Sequence, residues 1–363
     1  GKVIASASFD KTIKLWQVST GKLLTTLDGH QERLWSLRFS PDGKTLASSS
    51  YDSTIKLWNV ADGTLKKTIF GHNKTQVRSV DFSPDGKLLA SSDSHGWIKL
   101  WNAKDGTLIK SIPAHRTKKG RSWWVTAIKF NRDGKILAST SSDKTVKLWE
   151  LENGSLNLLK ILKGHRGNVR TVDFHPNNNY LASAGADGMV KLWDINKGEE
   201  LQTLRGHRNP VWTVQFTSDG KRLVSASSDS TIKLWNLQDA KNTNTKPQTL
   251  KGHHGRVWSI NISPDGKTIA SGGWDKTIRL WSLEKQYPKT FHVSQELLRS
   301  VSMSPDGNTF VTASNDKTIK LWDLKTENLI KTLKGHKRGI RSVRFSPDGK
   351  YLATASTDKT VIW

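Results

Sequence analysis

Serine, histidine and aspartate recur down this chain at regular intervals, and together they are the parts of a hydrolytic triad: a hydroxyl nucleophile, an imidazole base and an orienting carboxylate. Ser6, Ser48, Ser91, Ser139, Ser183, Ser225, Ser271 and Thr312 each stand ten residues before a tryptophan. Asp10, Asp52, Asp143, Asp187, Asp229, Asp275 and Asp316 stand six before one, and a histidine opens most units, as at His30, His165 and His207. An active site is built once, however, and its nucleophile must be reachable. A constellation repeated in almost every unit argues for a structural network. The chain has no Cys, which removes disulfides, cysteine-ligated metals and thiol nucleophiles from consideration. It offers no Gly-rich phosphate loop, no metal-ligand cluster and no unrepeated nucleophile with its base, so no catalytic residue, metal or cofactor is expected.

The elements that position these residues follow from the tryptophans. Trp16, Trp58, Trp101, Trp149, Trp193, Trp235, Trp281, Trp322 and Trp363 lie 41 to 48 residues apart, each closing a variant of Ile-Lys-Leu-Trp. A period in that range means that one supersecondary unit is stacked many times. In residues 29–69 the unit predicts a strand over 34–40, a hairpin turn at Pro41-Asp42-Gly43-Lys44, a strand over 45–50, a turn holding Asp52, a strand over 54–58, a turn at Asp62-Gly63 and a strand over 65–69. Four short antiparallel strands cannot cover both their faces. Each sheet must therefore be buried by the sheets before and after it.

Gly-His, Ser-Pro-Asp-Gly-Lys, Leu-Ala-Ser and Asp-Lys-Thr-Ile-Lys-Leu-Trp together resemble the WD-repeat β-propeller family, along essentially the whole chain. The resemblance implies an all-β propeller of four-stranded antiparallel blades. It also implies a structural tetrad of His, Ser or Thr, Asp and Trp hydrogen-bonded within a blade: His30, Ser48, Asp52 and Trp58; His165, Ser183, Asp187 and Trp193; His207, Ser225, Asp229 and Trp235. Seven units run complete between Leu34 and Leu333. Three further strands at 340–345, 351–356 and 359–363 lack a fourth, and the N-terminus supplies a second, third and fourth strand. In the family an N-terminal outer strand usually completes the C-terminal blade. Eight blades in one domain, 1–363, with 1–18 surplus from a preceding repeat, is the first expectation; nine blades, or seven with flanking strands, are the alternatives. The near-uniform repeats further resemble those of bacterial, especially cyanobacterial-type, multidomain proteins, and imply a piece of a longer polypeptide.

The formal net charge of +25 suggests nucleic acid until its origin is traced. Much of it belongs to the repeat: the Lys of Ile-Lys-Leu-Trp (Lys56, Lys147, Lys233), the Lys after Asp-Gly, and the Lys after the turn Asp. Such spacing reads as solvated surface and edge protection. No apolar run of about 18 residues could span a bilayer. A cytoplasmic setting is expected.

Departures from the repeat are where function belongs. The residue four before the first-strand Phe, or its equivalent, is Trp35, Arg78, Thr126, Arg170, Trp212, Trp258, Arg299 and Arg341 in turn. The family resemblance puts this position, and the residue before the tetrad Asp (Tyr51, Trp274), at the mouth of the central channel. The lengthened stretch after His115 carries Arg116, Lys118, Lys119 and Arg121 and then Trp123 and Trp124, which suit an acidic or stacked partner. His95 stands where the turn Asp is expected and Trp97 replaces Thr, which reads as a weakened tetrad. Trp and Arg dominate interface energetics. The expectation is a non-catalytic scaffold or sensor domain that binds an acidic, aromatic or phosphorylated protein segment, with no small-molecule substrate. Nucleic-acid binding through the basic surface is the alternative.

Overall fold

The computed structural model describes residues 3–7, 12–17, 22–32, 34–117, 119–152, 154–237, 246–263, 265–275, 277–283, 289–292, 298–314, 316–324, 326, 328–334, 340–345 and 352–356. Every regular element among them is a strand. Seven sheets have four antiparallel strands in sequence order, at 34–70, 77–112, 125–163, 169–204, 211–250, 257–292 and 298–334. A three-stranded sheet (Val3–Ala7, Thr12–Gln17, Lys22–Asp28) precedes them and a two-stranded one (Ile340–Phe345, Leu352–Ser356) follows.

Local chemistry explains why each meander turns where it does. In the first hairpin of the sheet 34–70, Ser40 Oγ donates to Asp42 Oδ1 at 2.5 Å and accepts the Thr45 N–H at 2.9 Å, while Asp42 Oδ1 accepts the Lys44 N–H at 3.0 Å. Gly43 takes φ +69°, a region that glycine enters without a Cβ penalty. The same side-chain staple recurs at Ser83, Thr217, Ser263 and Ser304. The repeated Ser-Pro-Asp-Gly-Lys is therefore a turn device.

The core lies between sheets. Ala182, Ala184, Val190 and Leu192 from the middle strands of one sheet pack with Val211, Val214, Leu223 and Trp235 from the next. Ile98, Leu100 and Ile112 meet Val125, Ile128 and Leu137 in the same way. Trp58, Trp101, Trp193 and Trp235 are among the largest fully buried side chains. Burying a large apolar side chain contributes roughly 1.5–3 kcal/mol, so this layer carries much of each repeat's stability.

The chain divides into two compact units, 1–77 with 253–363, and 78–252. Within the first, Val3–Ala7 runs beside Ile340–Phe345 and Leu352–Ser356 and also beside Leu34–Phe39. Lys22–Asp28 pairs with Thr12–Gln17, from Thr12↔Asp28 to Gln17↔Lys22, rather than with a C-terminal strand. Residues 357–363 lie outside the described residues, so the expected completion of a C-terminal blade by 23–27 has no described partner strand there.

Candidate functional site

The Ser-His-Asp residues do meet. His207 Nδ1 lies 2.8 Å from Asp229 Oδ2 and its Nε2 lies 2.8 Å from Ser225 Oγ; Trp235 Nε1 donates to that same Oγ at 2.9 Å. A carboxylate only accepts, so Nδ1 carries the proton toward Asp229 and a neutral ring accepts the serine O–H at Nε2. The quartets His30–Ser48–Asp52–Trp58 and His165–Ser183–Asp187–Trp193 repeat this geometry. So do His115–Ser139–Asp143–Trp149 and His253–Ser271–Asp275–Trp281. In all five the serine is 0% exposed. Its oxygen already accepts a tryptophan N–H, so a substrate carbonyl has no approach to it.

Burial sets the protonation states. It lowers the pKa of His30, His115 and His253, and the hydrogen bond to the partner carboxylate only partly opposes this. Burial alone would raise Asp187, but the hydrogen bond from His165 and the N–H groups of Arg166 and Met189 bring it down to about 2. Asp52, Asp229 and Asp275 are lowered against the same desolvation by their own histidines, by threonine hydroxyls and by backbone donors. In the sheet 77–112, where His95 occupies the aspartate position, Asp93 Oδ1 accepts the N–H groups of His95 and Trp97 at 2.9 Å each. An aspartate two residues earlier takes over the turn. Trp101 Nε1 keeps its bond to Ser91 Oγ at 2.7 Å.

Several lysines of the third strand are drawn into the blade rather than solvated, contrary to the reading of their spacing. Lys56, Lys191 and Lys233 are 6–7% exposed. Lys56 Nζ donates to Thr68 Oγ1 at 2.7 Å, Lys233 Nζ to Thr249 Oγ1 at 2.8 Å, and Lys147 Nζ to the Ala114 carbonyl at 2.5 Å. Burial lowers the pKa of Lys56, Lys147 and Lys233, against the pull of the neighbouring tetrad aspartate. The third strand is interior to each sheet, and its lysine lies across the blade beneath the Gly-His segment. The same bonds remove these charges from any basic face.

The variable position singled out in the sequence is a β-bulge. Strand pairing skips Trp35, Thr126, Arg170, Trp212 and Trp258, and likewise Arg299 and Arg341. A bulged residue is released from the alternation of the sheet and its side chain is re-aimed, which is why the repeat places no demand on its type. Lys118 lies outside the described residues, as do the side chains of Arg299 and Arg341.

Side chains at this position stack on aromatic neighbours. Trp35 lies against Tyr51 with centroids 5.5 Å apart at 15°, and Trp258 against Trp274 at 6.0 Å and 16°. The Arg78 guanidinium sits 4.4 Å from the centroid of Trp124, and that of Arg170 3.6 Å from Trp212. Each of these arginines reaches the aromatic residue of the next repeat. Arg256, which the sequence reading missed, lies 4.5 Å over Trp274 and is exposed. Its signal was its place two residues before Trp258. Trp35 and Trp124 are 44% and 50% exposed; Trp212, Trp258 and Trp274 are half-buried.

The loop after His115 is less open than its composition suggests. Arg116 pairs with Ser122 in a β-bridge, donates to the His95 carbonyl at 2.9 Å and lies 5.2 Å over Trp97. Arg121 covers half-buried Trp123 at 5.0 Å. Lys119, Arg121 and Trp124 remain exposed. Among the described residues no group of three or more His, Asp or Glu could hold a metal ion, and no helix is long and apolar enough to cross a membrane.

Sheets closed by a His-Ser-Asp-Trp quartet and stacked face to face define a WD-repeat class of protein. The WD40 pattern (WD domain, G-beta repeat) matches residues 1–17, 21–59, 63–102, 106–150, 156–194, 198–236, 244–282, 286–323 and 327–363, and the chain belongs to this family. The WD40 repeat-containing protein HOS15 of Arabidopsis thaliana is 55% identical over 40 residues, which is 11% of this chain and 6% of HOS15. The F-box-like/WD repeat-containing protein TBL1X of Mus musculus is 54% identical over 41 residues, 11% of this chain and 8% of TBL1X. Mouse Coronin-7 is 46% identical over 41 residues, 11% of this chain and 4% of Coronin-7. Each match is about one repeat long and spans less than a tenth of the relative. These relatives come from a plant and an animal and lend no support to the expected bacterial origin. The crystal structure of the computationally designed Ika8 protein superposes with a TM-score of 0.75 at 28% identity, covering 89% of this chain and 94% of Ika8.

Proposed function

We propose that this chain is a non-catalytic interaction domain of the cytoplasm, a single eight-bladed propeller that binds an acidic, aromatic or phosphorylated protein segment across its bulge residues. The observation that carries the reading is the row of bulged Trp and Arg side chains, stacked in pairs where the repeat leaves the residue type free. Flat aromatic area held rigid by a neighbouring ring or guanidinium costs little entropy to present to a partner. The family's general role in protein interaction supports the same conclusion, and the buried serines of the quartets speak against hydrolysis.

Binding of acidic, phosphorylated and neutral peptides to an array tests it. Trp258→Ala should weaken the retained acidic peptides by about 1–2 kcal/mol, as truncation at an interface hot spot does. Lys135→Ala, in a turn at the other end of a sheet, should leave them unchanged. Equal retention by the two variants would overturn the proposal. Nucleic-acid binding is a second reading, favoured by the net charge of +25. It requires an affinity that falls steeply with salt through counterion release.

A further inference from the structure

Beside the third strand of the sheet 211–250 lies a cavity of about 260 Å³, lined by Gly206, Arg208, Asp229, Lys233, Thr249 and Lys251 among others. Three of these residues are cations. The one carboxylate is already engaged: Asp229 accepts from His207, from the Arg208 N–H and from Thr231. Lys233 is 7% exposed, and its ammonium donates to Thr249 Oγ1 at 2.8 Å.

The preceding repeat shows what such a place accommodates. Lys191 pairs across the sheet with Thr203 as Lys233 does with Thr249, and Gly164 precedes its histidine as Gly206 does. There, Lys191 Nζ donates to Glu200 Oε2 at 2.7 Å, and a Cβ placed on Gly164 would lie 2.8 Å from that same oxygen. A carboxylate thus sits between the glycine and the buried lysine. Glu200 stands three residues before Thr203; three before Thr249 stands Lys246, which is exposed. The second repeat keeps the cationic cradle and replaces its internal acid with another cation.

We propose that this cavity is an oxyanion site that takes a phosphate-type dianion. Arg208 and Lys251 flank Lys233 with a forked guanidinium and a second ammonium, the donor set that phosphate oxygens satisfy best. A buried ammonium with like charges beside it is costly until an anion joins it. Burial lowers the pKa of Lys233, the Asp229 charge raises it, and Arg208 and Lys251 lower it further; a bound anion offsets both the cost of burying the ammonium and its repulsion by the neighbouring cations. The site is separate from the stacked bulge residues, so it stands or falls apart from them.

The test is isothermal titration of the full chain with inorganic phosphate, ionic strength being held constant with chloride. The wild type should bind saturably, at one equivalent. Lys251→Gln should weaken binding by at least about fivefold, through loss of one charge-assisted contact. Lys246→Glu, which places an acid three residues before Thr249 as Glu200 stands before Thr203, should abolish saturable binding without lowering the melting temperature. Trp258→Ala should leave phosphate binding unchanged, which separates failure here from failure of the peptide reading. A phosphoserine peptide that binds about tenfold more tightly than phosphate assigns the anion to a partner's side chain, whereas equal or weaker binding assigns it to the free ion. Heats no different from chloride in the wild type, or phosphate affinity unchanged in both the Lys251→Gln and Lys246→Glu variants, would overturn the site.

Discussion

A serine hydroxyl aimed at a histidine that is aimed at an aspartate looks the same in a list whether it catalyses or props, and its other neighbours decide between the two. Here the oxygen takes a tryptophan N–H as well and is sealed from solvent. Asp229→Ala should therefore lower unfolding free energy by roughly 1–3 kcal/mol, because it takes the carboxylate acceptor away from a buried imidazole Nδ1–H. Denaturant melts measure this; full stability together with loss of a hydrolytic activity would contradict it. The same quartets predict acid sensitivity. His30, His115 and His253 have folded pKa values below their ordinary 6.5, so between those values the unfolded chain binds more protons than the folded one. Stability should fall as pH drops below about 6.5, by at most about 1.4 kcal/mol per pH unit for each histidine. The tetrad aspartates, depressed from 3.8, add a second loss below about 4. Thermal melts from pH 8 to pH 3 should show both stages, and a melting temperature flat from pH 7 to pH 5 would refute the first.

At the scale of the strand and turn, the sequence was most legible where local chemistry decides. Pro-Asp-Gly turns, the Trp period and the alternation between them located the complete four-stranded sheets within a residue or two at most boundaries. The third-strand lysines were misread because spacing reports the type of residue and not which strand is interior; only the pairing shows Lys56 lying over its blade toward Thr68. The variable position was visible as a column of unlike residues, but its cause, a bulge that frees the side chain from the pleat, lies in the register. Asp93 standing in for the residue at His95 was hidden because it works from two positions earlier. Glycines allow a graded test. Gly43 and Gly96 both have positive φ, but a Cβ on Gly43 meets nothing within 4 Å while one on Gly96 would lie 2.5 Å from the His115 carbonyl oxygen. Gly43→Ala should cost about 1 kcal/mol, the backbone term alone, and Gly96→Ala clearly more, since rigid backbone must move as well. Equal losses in chemical denaturation would show that the close approach in the sheet 77–112 yields freely.

For the molecule as a whole, nine repeat matches, of which 1–17 is the shortest, stand against an expectation of eight blades, and the first repeat decides between eight and nine. Within the unit that holds both chain ends, Leu27 is 1% exposed and shares a core with Leu34, Trp58, Ile340 and Val343. The outermost strand of the first repeat is thus built into the hydrophobic layer between the last sheet and the sheet 34–70. Leu27→Ala should cost about 2–5 kcal/mol, as emptying a buried leucine site does. If the propeller has eight blades, residues 1–18 duplicate positions that the C-terminal repeat can fill. Removing residues 1–18 should then leave the denaturation midpoint within experimental error, whereas removing 1–28 should lower it by at least as much as the leucine substitution. If instead the first three strands form a blade of their own, removal of 1–18 strips away two of them and exposes the layer around Leu27. A large drop in stability on that shorter truncation would replace the eight-bladed reading with a nine-bladed one.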